Sequence, residues 1–160
     1  WVTTPEALEP FRKRVPEQDP PVLEYLKDPL MTTYDITMEA SIQTPKMGKE
    51  WHVLSHSNMQ NLYYSFPQMI THHAVSGCKL ATGDLMGSGT VSGPEENAFC
   101  SMVEKINDPP FDLPTGEKRN FLADGDKVKL SGYAKGDGYV IGMGDVTGTV
   151  LPALDDSHYF

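Results

Sequence analysis

Residues 34–43, YDITMEASIQ, alternate: Tyr34, Ile36, Met38, Ala40 and Ile42 fall on one side, Asp35, Thr37, Glu39, Ser41 and Gln43 on the other. Successive strand side chains point to opposite faces, so this period of two predicts a half-buried β-strand starting near Thr32. PKMGKE then reads as a turn and WHVLSHS as a second strand, giving an antiparallel hairpin over residues 33–56.

Strand signals return in the C-terminal third. KVKLSGY and GYVIGMG alternate, and DGD and KGDG carry the glycines that hairpin turns use, so this third reads as a β-meander. Between the two β regions one helix is expected at about residues 58–74, where Leu62, Phe66, Met69, Ile70 and His73 recur at three- and four-residue spacing. Ser57 and Asn58 offer N-cap oxygens, and Gly77 suits the left-handed residue that ends a helix. Pro67 lies inside that span and predicts a kink near residues 63–67. Residues 1–30 hold six of the 13 prolines and read as an irregular arm over a surface, and residues 105–120 are polar and rich in Pro and Gly. The tail DDSHYF is expected to fray. The fold class is mainly β with one principal helix, built on one core, as 160 residues allow.

Charge narrows the partners. With 13 basic and 22 acidic side chains, net −9, and no basic stripe, nucleic acid is not an expected partner. No apolar run reaches the length that spans a bilayer, so no membrane partner is expected either. Two cysteines, Cys78 and Cys100, are too few for a disulfide-stapled scaffold and suit a reducing compartment, so the expected location is cytoplasmic. The chain opens on Trp1 rather than Met, and it is expected to be a piece of something longer.

Candidate chemistry gathers in GDLMGSGTVSGPEENAFCSMVE, residues 83–104. A dinucleotide fingerprint needs a helix directly after its glycines, but Thr90 and Val91 read as strand and Pro94 follows; the Lys-Ser/Thr ending of a P-loop is missing. The glycines then permit a bulge or tight bend in a strand. Adjacent His72 and His73 diverge by about 100° on a helix and cannot share a metal, which leaves one packed and one at the surface. Glu95, Glu96 and Glu104 could serve as acid, base or ligand, or simply be solvated. From residue chemistry alone nothing catalytic is complete.

The residues QMITHHAVSGCKLATGDLMGSGTVSGPEENAFCSMVE and KRNFLADGDKVKLSGYAKGDGYVIGMGDVTGTVLPAL resemble the C-terminal part of the fumarylacetoacetase family, and WVTTPEALEPF with QDPPVLEYL resembles the stretch leading into it. The likeness runs over residues 1–154, with 155–160 as a tail. LATGDLMGSGTVSG is similar to the wider superfamily's LxPGDxIxTGTPxG, with Thr82 at the usual proline.

The resemblance implies a mixed β-sandwich roll, a homodimer, and hydrolysis of a β-diketone C–C bond in tyrosine and phenylalanine breakdown. It also implies a divalent metal, Mg or Ca, chelating the diketone as a Lewis acid and template, and an imidazole that activates water. Carried over by position, Glu104 is expected to orient the catalytic histidine, and Thr90 to contact the substrate's carboxylate end. The histidine, the acidic metal ligands and the substrate-binding Arg and Lys are expected upstream of Trp1, so no metal ligand is assigned here and the chain alone is expected to be inactive. Two other readings stand beside this one: a stand-alone module that binds small carboxylates at Thr90 without metal, and an acylpyruvate hydrolase.

Overall fold

The computed structural model describes residues 2–158. It is mostly β. The main sheet has four strands: β3 (Thr37–Gln43), β4 (His52–Asn58), β7 (Lys127–Lys135) and β8 (Val140–Thr149), in the order β4-β3-β7-β8 with every ladder antiparallel. Two small ladders flank it: β1 (Arg12–Arg14) with β2 (Thr32–Tyr34), and β5 (Phe111–Asp112) with β6 (Lys118–Arg119). The helices are α1 (Pro5–Leu8), a single turn, and α2 (Phe66–Val75). No helix among the described residues is long and apolar enough to cross a membrane.

The β3–β4 hairpin is as expected, with PKMGKE turning through a 3-10 segment at Pro45–Met47 and Gly48 at φ +65°. The alternating run is not one strand, however. It breaks at Asp35–Ile36, where Asp35 N–H donates to the Phe11 carbonyl at 2.8 Å and Ile36 N–H to that of Tyr34 at 3.0 Å. The chain steps there from the small sheet into the large one. Nor does the alternation sort cleanly into buried and exposed faces, since Ser41, Ile42 and Gln43 are all buried. The end of β3 is covered from both sides: Gln43 Nε2 reaches the Glu50 carbonyl, and Thr44 Oγ1 donates to Glu117 Oε2 at 2.6 Å.

The core around the sheet holds Phe11, Ile36 and Ala134, with Leu8, Tyr34, Met38, Met59, Ile141 and Met143 packed on it. Phe11 meets Tyr139 edge to face, with ring centroids 5.8 Å apart. The proline-rich arm is therefore not merely draped over a surface, because it contributes Phe11 and the buried Val15. Opposite Gly132, β8 carries an extra residue at Met143–Gly144, and Gly144 takes φ +77°. That bulge twists the hairpin locally. A second knot of structure joins β6 to the turn before β7: Arg119 forks onto the buried Asp126 at 2.8 and 3.0 Å and reaches Glu117 at 3.3 Å.

The helix differs most from expectation. It begins at Phe66 rather than near residue 58, because β4 runs on to Asn58 and a 3-10 turn fills Met59–Asn61. Ser65 is the N-cap, in a reciprocal capping box with Gln68. Pro67 accordingly lies in the first turn, where its missing N–H costs nothing, and no kink is required. Gly77, at φ +86°, follows the end of the helix as expected. Of the expected apolar stripe, Leu62 is buried but outside the helix, Phe66 and Met69 are half-buried, and Ile70 and His73 are exposed. In the tail, Asp156–His158 form one 3-10 turn; Tyr159 and Phe160 lie outside the described residues.

Candidate functional site

Residues 85–93 run without ladder hydrogen bonds, so Thr90 and Val91 are not in a strand. The segment is tied to the sheet by one strong contact: Ser57 Oγ on β4 donates to the Val91 carbonyl at 2.6 Å, and the Val91 side chain is buried. Beyond it a tight turn closes, with Gly93 N–H on the Ala98 carbonyl at 2.6 Å and Ala98 N–H on that of Glu95 at 2.9 Å. Asn97 offers its carbonyl to His56 N–H of β4 at 2.9 Å, which pairs part of that strand's outer edge.

The glycines do different jobs. A Cβ at Gly93 would lie 2.5 Å from Asn61 Nδ2 and 3.0 Å from Ala98 Cβ, so any larger residue there would have to displace the Asn61 side chain. Gly89 instead needs its backbone freedom, at φ +77°. A Cβ at Gly87 or Gly89 would meet nothing within 4 Å.

Thr90 is exposed on this loop, beside the anchored Val91. Glu104 sits in a 3-10 turn, Met102–Lys105, whose N-cap is Ser101. Its Oε1 accepts three hydrogen bonds: from Cys100 N–H at 3.1 Å, Ser101 N–H at 3.0 Å and Ser92 Oγ at 3.0 Å. Oε2 receives none from a described residue. Glu104 is exposed at the surface, its carboxylate held by one oxygen and open at the other. Ser92 thus couples the Thr90 loop to Glu104, although Thr90 and Glu104 do not bond to each other. The sequence reading missed Ser92. The S-x-x-E spacing of Ser101 and Glu104 was legible as a capping box, but the contact from Ser92 spans 12 residues and has no local signature.

The remaining candidates disperse. Glu95 and Glu96 are exposed on the tight turn. His72 and His73 are both exposed, where one had been expected to pack, and His72 Nδ1 lies 3.3 Å from Tyr25 Oη. These histidines line a groove of about 690 Å³ with Tyr25, Tyr63, Tyr64 and the loop residues Met86–Ser88. Val91 lines a different hollow of about 400 Å³ on the sheet, and neither hollow is lined by Thr90 or Glu104. Both cysteines are free and exposed. Among the described residues no three His, Cys, Asp or Glu side chains converge as a metal site.

Comparison with known proteins gives this arrangement its context. The family described as fumarylacetoacetate (FAA) hydrolase C-terminal matches residues 1–151. The chain is 45% identical over 159 residues to the fumarylacetoacetase of Dictyostelium discoideum, 43% over 155 to that of Arabidopsis thaliana and 44% over 156 to that of Homo sapiens. Each comparison covers 96% of this chain but only 36–37% of the relative, so the chain spans little more than a third of the proteins it matches. On this match over nearly all its residues, the chain belongs to the fumarylacetoacetate hydrolase family and corresponds to its C-terminal region.

Proposed function

We propose that this chain supplies the C-terminal part of an enzyme that hydrolyses 4-fumarylacetoacetate to fumarate and acetoacetate. The observation that carries the reading is the Glu104 carboxylate, fixed through Oε1 by three donors while Oε2 stays available. A carboxylate held in this way can accept the N–H of an imidazole and set its orientation, leaving the other ring nitrogen to take a proton from water. The hydroxide adds to the carbonyl carbon. The C–C bond then breaks: its electron pair leaves as the acetoacetate enolate, which takes the proton back from the imidazolium, while the former carbonyl carbon, now bearing the added oxygen, departs as fumarate. Thr90, exposed on an anchored loop, offers its hydroxyl to the carboxylate end of the substrate.

The imidazole belongs to residues outside this chain, and so do the metal ligands. The described residues do not fit a divalent cation, since no ligand set converges among them. Mg or Ca, when bound by the complete protein, would polarise the diketone. A cytosolic homodimer acting on a small diketone completes the reading, and the chain by itself is expected to be inactive.

The test is a diketone-cleavage assay on the complete open reading frame with Mg or Ca, using fumarylacetoacetate and an acylpyruvate in parallel. Glu104→Gln is expected to lower kcat by roughly 10²- to 10⁴-fold, the range of a lost acid–base contribution. An unchanged kcat would remove Glu104 from the mechanism, and preference for the acylpyruvate would overturn the substrate.

A further inference from the structure

Glu104 could be held by its own turn alone. The N–H groups of Cys100 and Ser101 already reach Oε1, and Ser101 Oγ caps Val103 N–H at 3.3 Å. A third donor nevertheless arrives from another segment, Ser92 Oγ at 3.0 Å. Ser92 is not a loose surface hydroxyl. On one side Val91 is buried and hydrogen-bonded to β4 through Ser57; on the other Gly93 is packed against Asn61 and Ala98 and bonded to the Ala98 carbonyl. Its backbone is therefore pinned at both neighbours, and its hydroxyl approaches Glu104 from a fixed point.

We propose that Ser92 is a positioning residue for Glu104, which it holds in register with Thr90. A turn-borne carboxylate bonded only within its turn moves when the turn moves. The bond from Ser92 refers it instead to the main sheet, through Val91 and Ser57. Thr90 lies two residues before Ser92 on the same anchored backbone. The hydroxyl assigned to the substrate and the carboxylate assigned to the imidazole thereby share one reference frame, and sub-ångström errors in such a frame are costly to rate. This inference rests on the reading of Glu104 given above.

The experiment is a double-mutant cycle on the complete open reading frame, with kcat and KM measured for Ser92→Ala, Ser92→Thr, Glu104→Gln and Ser92→Ala/Glu104→Gln. Ser92→Ala is expected to lower kcat on the order of 10- to 100-fold with little change in KM, and Ser92→Thr, which keeps a hydroxyl, to recover most of it. In the Glu104→Gln background Ser92→Ala should cost almost nothing more, because the two side chains act as one unit. A merely structural serine would lower activity equally in both backgrounds, and that result would overturn the proposal. If Glu104→Gln is damaging while Ser92→Ala keeps full kcat, positioning by Ser92 falls and the role of Glu104 stands. If Glu104→Gln is harmless, both fall together. Should Ser92→Ala not fold, Ser92→Cys fills nearly the same volume with a weak donor, and wild-type kcat in that variant would equally overturn the proposal.

Discussion

Ser57 on β4 and Val91 on the glycine-bounded loop are joined by a 2.6 Å hydrogen bond, and both side chains are buried. This contact holds Val91 against the sheet. Ser57→Ala would leave the Val91 carbonyl without its donor at a cost of about 1–3 kcal/mol. The local effect is the sharper test. Hydrogen exchange at the Gly93 amide should quicken in the variant, while exchange in β7 stays as it was. Equal exchange at Gly93 in both proteins would show that the loop does not depend on this bond.

Ser65 caps the start of α2 with a fully buried side chain. Its Oγ accepts from Gln68 N–H at 3.4 Å and donates to Asp28 at 2.5 Å, while Gln68 Oε1 accepts from Ser65 N–H at 2.9 Å. Ser65→Ala is expected to destabilise by about 1–2 kcal/mol, as for other lost N-caps. Tm should fall by roughly 2–8 °C. A calorimetric scan that finds no shift would argue against the capping box.

Arg119 balances the fully buried carboxylate of Asp126 through two parallel hydrogen bonds. Arg119→Met removes the cation and leaves that charge unpaired, a change that typically costs about 3–5 kcal/mol. Arg119→Lys keeps the charge but not the fork, so its urea midpoint should fall between wild type and Arg119→Met. A lysine variant as stable as wild type would show that charge alone suffices.

Acid should weaken the same region. Burial pushes the Asp126 carboxyl up, but the hydrogen bonds and charge of Arg119 and the Ala123 N–H outweigh it and hold it below the usual carboxylate range. Thr44, Thr115 and Arg119 likewise lower Glu117. A carboxyl lowered on folding contributes stability that is complete above its unfolded value, about 4, and is lost as pH falls through the folded value. The stability gap between wild type and Asp126→Asn should therefore be widest near neutrality and shrink below about pH 4. Denaturant titrations across that range would show it, and a gap independent of pH would contradict the assignment.

Much of the β framework was readable because its signals are local. PKMGKE between two strand-like runs marks the β3–β4 hairpin, KGDG marks the β7–β8 hairpin, and Gly77 marks the end of α2. The start of α2 was misplaced although its signal was present. Ser65 and Gln68 have capping-box spacing and Pro67 suits a first helical turn, yet the apolar spacing from Leu62 drew the boundary back. Periodicity identifies a helix better than it locates its ends.

The sequence by itself determined the family and the mainly β character, and it was the likeness to that family that singled out Thr90 and Glu104; motif likeness and alternation are both properties of neighbouring residues. Only the tertiary structure decided that β3 pairs with β7, some 85 residues later, or that Ser92 and Glu104 share a hydrogen bond. Such pairings depend on how the whole chain closes its sheet and buries its core. Several partners satisfy each strand and hydroxyl locally, and packing selects among them.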